Sequence, residues 1–307
     1  MALDQATLRQ LRIFEAAARH AHLGRAAAEL NLTQPAISIQ LRRLEESVGA
    51  ELFARAGRGK RLTDVGAALL GQARAILDRV READEAIGVL SATGGGELRV
   101  AATTTAEYFV PRLLAGFRRA RPQLRIRLLV SNRETVIRDL ADGRADLAIM
   151  GRAPQAMTTV AAPFAPHPLA FVAAPDHPLA RRRRLAVADL AGETFLLREQ
   201  GSGTRLAMEQ LFTESAFAPA EMVEFGSNET IKQAVIAGMG IGFVSLHTVG
   251  LERVARRLAV LRVEGTPVMR RWFVVHRREQ RLPRAAEAFR DHLGAAGARE
   301  IESAIGR

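Results

Sequence analysis

Gln34, Ser38, Arg42 and Arg43 recur at helical spacing, and side chains of these types could read and grip a polyanionic duplex. A glutamine amide pairs with adenine N6 and N7, and a serine hydroxyl serves either a base edge or a phosphate. Ile39 is out of place on a solvated helix but could pack on a thymine methyl. Arg42 and Arg43 lie farther along and suit phosphate neutralisation. With Ile37 as the origin of a helical wheel at about 100° per residue, Leu41, Leu44 and Val48 share its face. Pro35, Ser38, Ile39, Arg42 and Arg43 fall on the opposite face, with Gln34 exposed at the N-terminus. The stretch Leu52-Phe53-Ala54-Arg55-Ala56-Gly57-Arg58-Gly59-Lys60-Arg61-Leu62-Thr63 follows. Its glycines and cations between apolar ends read as a β-hairpin wing, whose arginines could grip phosphates or enter a minor groove. The candidate DNA contacts are therefore Thr33, Gln34, Pro35, Ser38, Ile39, Arg42, Arg43, Arg55, Arg58 and Arg61.

A second chemistry sits in the loops of the C-terminal two thirds. Thr103, Thr104 and Thr105 follow one expected strand, Ser131, Asn132, Arg133 and Glu134 a second, and Gly151 and Arg152 a third. Gly201-Ser202-Gly203-Thr204-Arg205 and Gly226-Ser227-Asn228-Glu229-Thr230 each precede an expected helix. Strand ends and helix N-termini are where open α/β sheets deliver ligand-binding groups. Hydroxyls, free amides and arginines suit a small anionic molecule, phosphorylated or not. The candidate effector contacts are Thr103, Thr104, Thr105, Ser131, Asn132, Arg133, Glu134, Arg152, Ser202, Gly203, Thr204, Arg205, Asn228 and Thr230. The Gly-Ser-Gly-Thr stretch lacks the lysine and spacing of a P-loop, and any one such loop can be no more than a helix start. Catalysis is not indicated: the histidines form no HExxH motif, and Ser245 and His247 lie two apart without a third partner. No metal site or cofactor is expected.

Stepwise elements must position these groups. Thr7-Leu8-Arg9-Gln10 fits a capping box, and Leu8, Leu11, Phe14 and Ala18 recur at helical spacing. His22-Leu23-Gly24 breaks that helix, and Arg25 to Leu30 forms a short second one. After the turn Asn31-Leu32-Thr33, Thr33 caps a helix with Pro35 in its first turn, ending at Gly49. Thr63 or Asp64 caps a long helix to about Ala92. In it Leu69, Ala73, Ile76, Val80, Ala83, Ile87 and Leu90 keep a 4-3 alternation, which predicts a dimer seam. The alternative is one amphipathic helix lying on its own domain. Gly94-Gly95-Gly96 is a linker.

From Glu97 the pattern alternates between strands and helices. Strands are predicted at Leu98–Ala102, Arg125–Val130, Asp146–Met150, Leu169–Ala174, Thr194–Leu197, Met222–Phe225, Ile241–Val244 and Trp272–Val275. Helices are predicted at Tyr108–Ala120, Thr135–Ala141, Thr204–Ser215, Glu229–Ala237 and Arg284–Leu293. Such alternation argues for open sheets with parallel strands.

The 307 residues carry 44 basic and 33 acidic side chains, a net charge of +11. Only Lys60 and Lys232 are lysines, so the positive charge is almost all arginine. A basic balance attracts phosphate polyanions, although a GC-rich genome also favours arginine codons. The absence of cysteine excludes disulfides, thiol catalysis and cysteine zinc sites. No apolar run reaches the roughly 20 residues of a membrane span. Met1-Ala2-Leu3-Asp4-Gln5 carries no secretory h-region, so a cytoplasmic protein without membrane partners is expected.

Arg25-Ala26-Ala27, Leu32-Thr33-Gln34-Pro35-Ala36-Ile37-Ser38, Gln40-Leu41, Leu44-Glu45, Leu52-Phe53-Ala54-Arg55, Leu62-Thr63 and Gly66 together resemble the N-terminal signature of LysR-type transcriptional regulators. Farther on, six segments resemble the subgroup controlling Calvin-cycle genes, the RuBisCO operon regulators. They are Thr105-Ala106-Glu107-Tyr108-Phe109-Val110-Pro111-Arg112-Leu113-Leu114, Asp146-Leu147-Ala148-Ile149-Met150-Gly151-Arg152, Leu196-Leu197-Arg198-Glu199, Gly201-Ser202-Gly203-Thr204-Arg205, Gly226-Ser227-Asn228-Glu229-Thr230-Ile231-Lys232-Gln233-Ala234-Val235 and Arg271-Trp272-Phe273-Val274-Val275-His276. The resemblance covers nearly the whole chain. It implies an overall α/β protein with an N-terminal all-α winged helix-turn-helix (1–63), a dimerisation linker helix (64–93) and a two-lobed effector domain like a periplasmic binding protein (94–307). Lobe I would span about 97–165 and 268–307, lobe II about 166–267. It further implies an activator that binds a double-stranded DNA operator, forms homodimers through the linker helix and homotetramers beyond them, and can contact RNA polymerase. The implied effector is NADPH or a phosphorylated sugar or acid such as ribulose bisphosphate or phosphoenolpyruvate. Ile39 departs from the family pattern, where many members carry arginine, which leaves the apolar reading of that position. Control of another pathway, such as aromatic catabolism, is the alternative within the family; a solute-binding protein is the alternative outside it.

Overall fold

The capping box opens the first helix as its four residues require. In the computed structural model, which describes residues 5–20, 22–56, 59–90, 96–155 and 157–305, Gln10 N donates to Thr7 Oγ1 at 3.2 Å. The Gln10 side chain accepts from Thr7 N at 2.8 Å. Residues 1–94 and 95–307 form two separate compact units.

In the first unit, α1 (Leu8–Arg19) is followed by α2 (Leu23–Leu30), which ends on Asn31 in the left-handed region. Helix α3 (Gln34–Val48) has Thr33 as its cap and ends on left-handed Gly49. Strands β1 (Phe53–Ala56) and β2 (Gly59–Leu62) pair antiparallel as the wing, and α4 (Asp64–Leu90) follows. Ile37, Leu41 and Leu44 of α3 are buried with Phe14, Ala26, Leu52, Leu69 and Ala73. Each large apolar side chain so buried contributes about 1.5–3 kcal/mol. A Cβ on Gly66 would lie 2.1 Å from the Leu52 carbonyl oxygen, so only glycine lets the start of α4 approach the Leu52 backbone this closely.

The heptad stripe divides. Leu69 and Ala73 are 5% and 0% exposed and belong to this unit's own core, whereas Ile76 is 38% exposed. The front of α4 thus lies on its own domain, and the stripe first meets solvent at Ile76. The side chains of Ile87 and Leu90, and all of Gly94 and Gly95, lie outside the described residues.

The second unit opens with β3 (Glu97–Thr103), α5 (Val110–Arg119), β4 (Arg125–Ser131), α6 (Arg133–Ala141) and β5 (Leu147–Met150). After β6 (Thr159–Ala173) come β7 (Thr194–Arg198), α7 (Gly203–Glu214), β8 (Glu221–Phe225), α8 (Asn228–Ile236) and β9 (Ile241–Ser245). Helix α9 (Gly250–Val254), β10 (Ala259–Val260), β11 (Val268–Arg277), α10 (Arg284–His292) and α11 (Ala298–Ile305) complete it. The path through the sheet is β4-β3-β5-β11-β6-β9-β7-β8. Its two ends are parallel sets, β4-β3-β5 and β9-β7-β8, as the alternation predicts. They are joined by β6 and β11, which run antiparallel. One core gathers Phe109, Phe117, Trp272 and Phe289, and the other Phe171, Phe195, Phe212 and Phe243.

Strand β6 begins ten residues before the predicted Leu169. Pro163, Pro166 and Pro168 hide it, because proline argues against a strand interior. Strand β9 pairs with β6 only over 169–172, so the earlier half has β11 on one side. The register pairs Trp272 with Ala165 and Phe273 with Pro163, making Phe164 an extra, bulged residue. Counting across that bulge, all three prolines fall on alternate rungs, where the missing N–H faces away from β11. At the C-terminus, Gly294 and Gly297 resemble a helix stop, yet a π-helical turn over Leu293–Gly297 carries the chain into α11. Gly297 is there for space: a Cβ would lie 2.8 Å from the Phe164 ring.

Candidate functional site

The outer face of α3 is free to meet a partner. Gln34, Pro35, Arg42 and Arg43 are exposed, Ser38 is half-buried and Ile39 is 54% exposed. Thr33 is committed to capping, accepting from Ala36 N at 3.4 Å. The arginines of this unit behave in two ways. Arg19 is tied to Glu15 and, at 2.6 Å, to Glu29, while Arg74 approaches Glu15 at 3.8 Å. Arg42 and Arg43 have no carboxylate partner among the described residues, which leaves both guanidinium groups available. In the wing, Lys60 sits 5.7 Å from the Phe53 ring centroid and Arg61 is exposed. Arg58 and the side chain of Arg55 lie outside the described residues. A polar, cationic helix face whose first residues are exposed, backed by a wing, matches the geometry by which a recognition helix enters a major groove.

In the second unit, a cleft opens where the two parallel sets meet the crossover strands. Thr103, Thr104 and Thr105 enter it from the end of β3, Arg133 from the start of α6 and Arg152 from beyond β5. Ser202, Gly203 and Thr204 enter from the start of α7. The remaining candidates do not line it. Asn132 is used as the α6 cap, accepting from Thr135 N at 2.9 Å, and Glu134 pairs with Arg138 at 3.3 Å. Arg205 turns to Glu209, at 2.8 Å, and to Glu224. Thr230 bonds the α8 cap residue Ser227, and Ser131 is not among the lining residues.

Asn228 stands one step behind the cleft. Its Oδ1 accepts from Arg198 Nη1 at 2.8 Å, and its Nδ2 reaches Thr105 Oγ1 at 3.5 Å. Arg198, 3% exposed, also donates to both oxygens of Glu199, at 2.7 and 2.8 Å, and to Thr104 at 3.2 Å. Arg198 and Glu199 line the cleft although they are absent from the sequence candidates; the strand-end rule applied to β7 would have found them. Arg270, Trp272 and His167 also line it, from β11 and β6; Trp272 lies in a segment that carries the family resemblance, whereas no local motif marks Arg270 or His167.

The charge balance of the cleft is positive. Four arginines and one glutamate line it, a surplus of three charges. Glu199 neutralises Arg198, whereas Arg133, Arg152 and Arg270 have no carboxylate partner among the described residues. Arg133 is fixed by the carbonyls of Arg152 and, at 3.2 Å, Ala153. Burial, and then the neighbouring charge of Arg152, lower its pKa, so its charge is held at a cost that an anion would relieve. The floor is aromatic. His167 stacks on Trp272 at 4.0 Å, and Trp272 Nε1 donates to His247 Nδ1 at 2.9 Å. Burial pushes His167 down to about 3 and His247 to about 4, so both are neutral at physiological pH. Among the described residues no group of three or more histidine, aspartate or glutamate side chains is placed to hold a metal ion. No helix among them is long and apolar enough to cross a membrane.

Known proteins resemble both units. Residues 8–67 match the family described as bacterial regulatory helix-turn-helix protein, lysR family, and residues 91–298 match the LysR substrate binding domain. The chain is 46% identical over 287 residues to the HTH-type transcriptional regulator CfxR of Cupriavidus necator, covering 94% of this chain and 90% of that protein. It is 45% identical to the RuBisCO operon transcriptional regulator of Allochromatium vinosum, covering 95% and 97% respectively. Among solved structures, the Synechocystis CcmR regulatory domain in complex with 2-PG superposes with a TM-score of 0.62 at 37% identity. That likeness covers 65% of this chain and 96% of the domain. Since both units match the family and identity to its members runs almost end to end, the chain belongs to the LysR-type transcriptional regulators, a DNA-binding family.

Proposed function

We propose that this protein controls transcription of carbon dioxide fixation genes, those of the RuBisCO operon, in response to a small anionic metabolite bound in the arginine-lined cleft. What carries the reading is that 45% identity to a RuBisCO operon regulator extends over 95% of the chain, through the cleft unit as well as the DNA-binding unit. The surplus of guanidinium charge from Arg133, Arg152 and Arg270 supports an anion there, since bidentate arginine pairing suits phosphate and carboxylate. The similar CcmR domain was solved with 2-PG. The protein acts as a homodimer through the distal half of α4, beginning at Ile76, and pairs of dimers form the homotetramer. Gln34 and Ser38 read bases, Ile39 packs on a thymine methyl, and Arg42 and Arg43 hold phosphates.

Trp272 is the chain's single tryptophan and lines the cleft, so intrinsic fluorescence of the unmodified protein reports ligand entry. The test titrates 2-PG, phosphoenolpyruvate, ribulose bisphosphate and NADPH against benzoate, and measures binding to labelled duplexes by anisotropy. A saturating response to a phosphorylated probe is expected, with roughly 10³-fold preference for the duplex upstream of a RuBisCO operon over a shuffled one. Response to benzoate alone, or equal binding to both duplexes, refutes the assignment.

A further inference from the structure

His167 is the odd residue of the cleft. Its side chain is 5% exposed, yet neither ring nitrogen has a hydrogen-bond partner among the described residues. A buried polar group left unpaired is costly, and native interiors rarely keep one without a use. The ring is also held in place. It lies parallel to the Trp272 indole, 19° between planes, and Trp272 is itself pinned by its bond to His247.

Both ring nitrogens are shut off from solvent, and the Nδ1 edge lies against Gly151, another residue of the cleft wall. A Cβ at position 151 would lie 3.0 Å from His167 Nδ1 and 3.3 Å from Cε1. The φ of Gly151 does not lie in the left-handed region, so what a side chain there would meet is a crowded imidazole edge and not backbone strain. His167 also pairs with Arg270 across the β6–β11 ladder. Directly opposed residues send their side chains to the same face, and both of these enter the cleft. An anionic group held by Arg270 would therefore lie on the same face of the ladder as the imidazole, beside it. Burial keeps that imidazole uncharged, so it offers one donor and one acceptor and adds nothing to the attraction for an anion.

Resting on the reading of this cleft as the effector site, we propose that His167 determines specificity by hydrogen-bonding a hydroxyl or carbonyl oxygen that the effector carries beside its anionic group. The effector class is then a hydroxy- or oxo-acid phosphate or a sugar phosphate, and bare anions bind poorly.

Three probes of one skeleton and charge isolate the contact: 3-phosphoglycerate with a hydroxyl, 3-phosphohydroxypyruvate with a carbonyl, and the deoxy analogue 3-phosphonooxypropanoate. Inorganic phosphate serves as the bare anion. The full chain and His167→Phe are titrated by calorimetry and by Trp272 fluorescence. The parent is expected to bind a hydroxyl or carbonyl probe about tenfold tighter than the deoxy analogue. His167→Phe, which keeps the stacked ring, loses that preference while retaining its affinity for the deoxy analogue. Gly151→Ala, which sets a methyl against the Nδ1 edge, shows the same selective loss and carries the test if His167→Phe does not fold. A parent that binds the three skeleton probes equally, or a His167→Phe variant that keeps the preference or loses all probes alike, overturns the role of His167 and leaves the cleft as the effector site. A parent that binds none of the probes overturns the cleft reading and the proposal with it.

Discussion

Replacing Arg42 and Arg43 together by glutamine isolates the electrostatic part of the DNA contact. Both side chains are exposed on the outer face of α3 and neither has a carboxylate partner among the described residues, so no ion pair of the fold is lost. The melting temperature is expected to stay within about a degree. Each phosphate neutralised contributes about 0.9 to the slope of log K against log salt concentration. Two arginines on each of two protomers therefore remove roughly 3.5 from the slope. Between 50 and 200 mM salt the parent should lose roughly a hundredfold more affinity than the variant. Fluorescence anisotropy on a labelled operator duplex across that salt range measures both slopes. Equal slopes for parent and variant, with affinity reduced by a constant factor, would show that these arginines do not neutralise phosphate and that α3 docks by another face.

Ser38→Ala should weaken operator binding by about 1 kcal/mol or more with little change on a random duplex, and equal loss on both would contradict base reading. Lys232 is 2% exposed, and its Nζ reaches Thr248 O at 3.0 Å, Glu252 at 2.8 Å and Glu229 at 2.6 Å. Lys232→Met leaves the largely buried Glu252 unpaired and is expected to cost about 3 kcal/mol in urea denaturation; unchanged stability would refute that account. Burial depresses His167 to about 3 and His247 to about 4, against about 6.5 in an unfolded chain. As pH falls through 6.5 the unfolded state takes up protons first, so this stability is fully present above 6.5 and is lost on acidification toward those lower values. About 2 kcal/mol for each histidine should disappear between pH 7 and pH 5, and His167→Phe should remove its share of that loss. A parent equally stable at both pH values would contradict the burial of these rings.

The recognition helix was legible because its information is local. Thr33 as a cap, Pro35 in the first turn, Gly49 as the stop and the Ile37-Leu41-Leu44 stripe all lie within one element, and the structure places each as its chemistry requires. The division of α4 was not legible. The heptad stripe reads as one continuous seam, and only the fold shows Leu69 and Ala73 spent inside the first unit while Ile76 stays exposed.

The cleft divides in the same way. Hydroxyls and arginines at strand ends and helix starts were readable, because parallel α/β units place such loops together whatever their sequence. His167 and Arg270 were not, since they lie in mid-strand about a hundred residues apart and meet only through the β6–β11 register. That register passes a strand broken by three prolines, which sequence rules read as loop and which an open ladder edge tolerates. By itself, then, the sequence determined the exposed polar and cationic face of α3, the order of elements and the cationic loops, all set by spacing within single segments. The tertiary structure alone decided which arginines have no carboxylate partner, and which imidazole no hydrogen-bond partner, among the described residues. Pairing and burial depend on what the distant chain brings alongside.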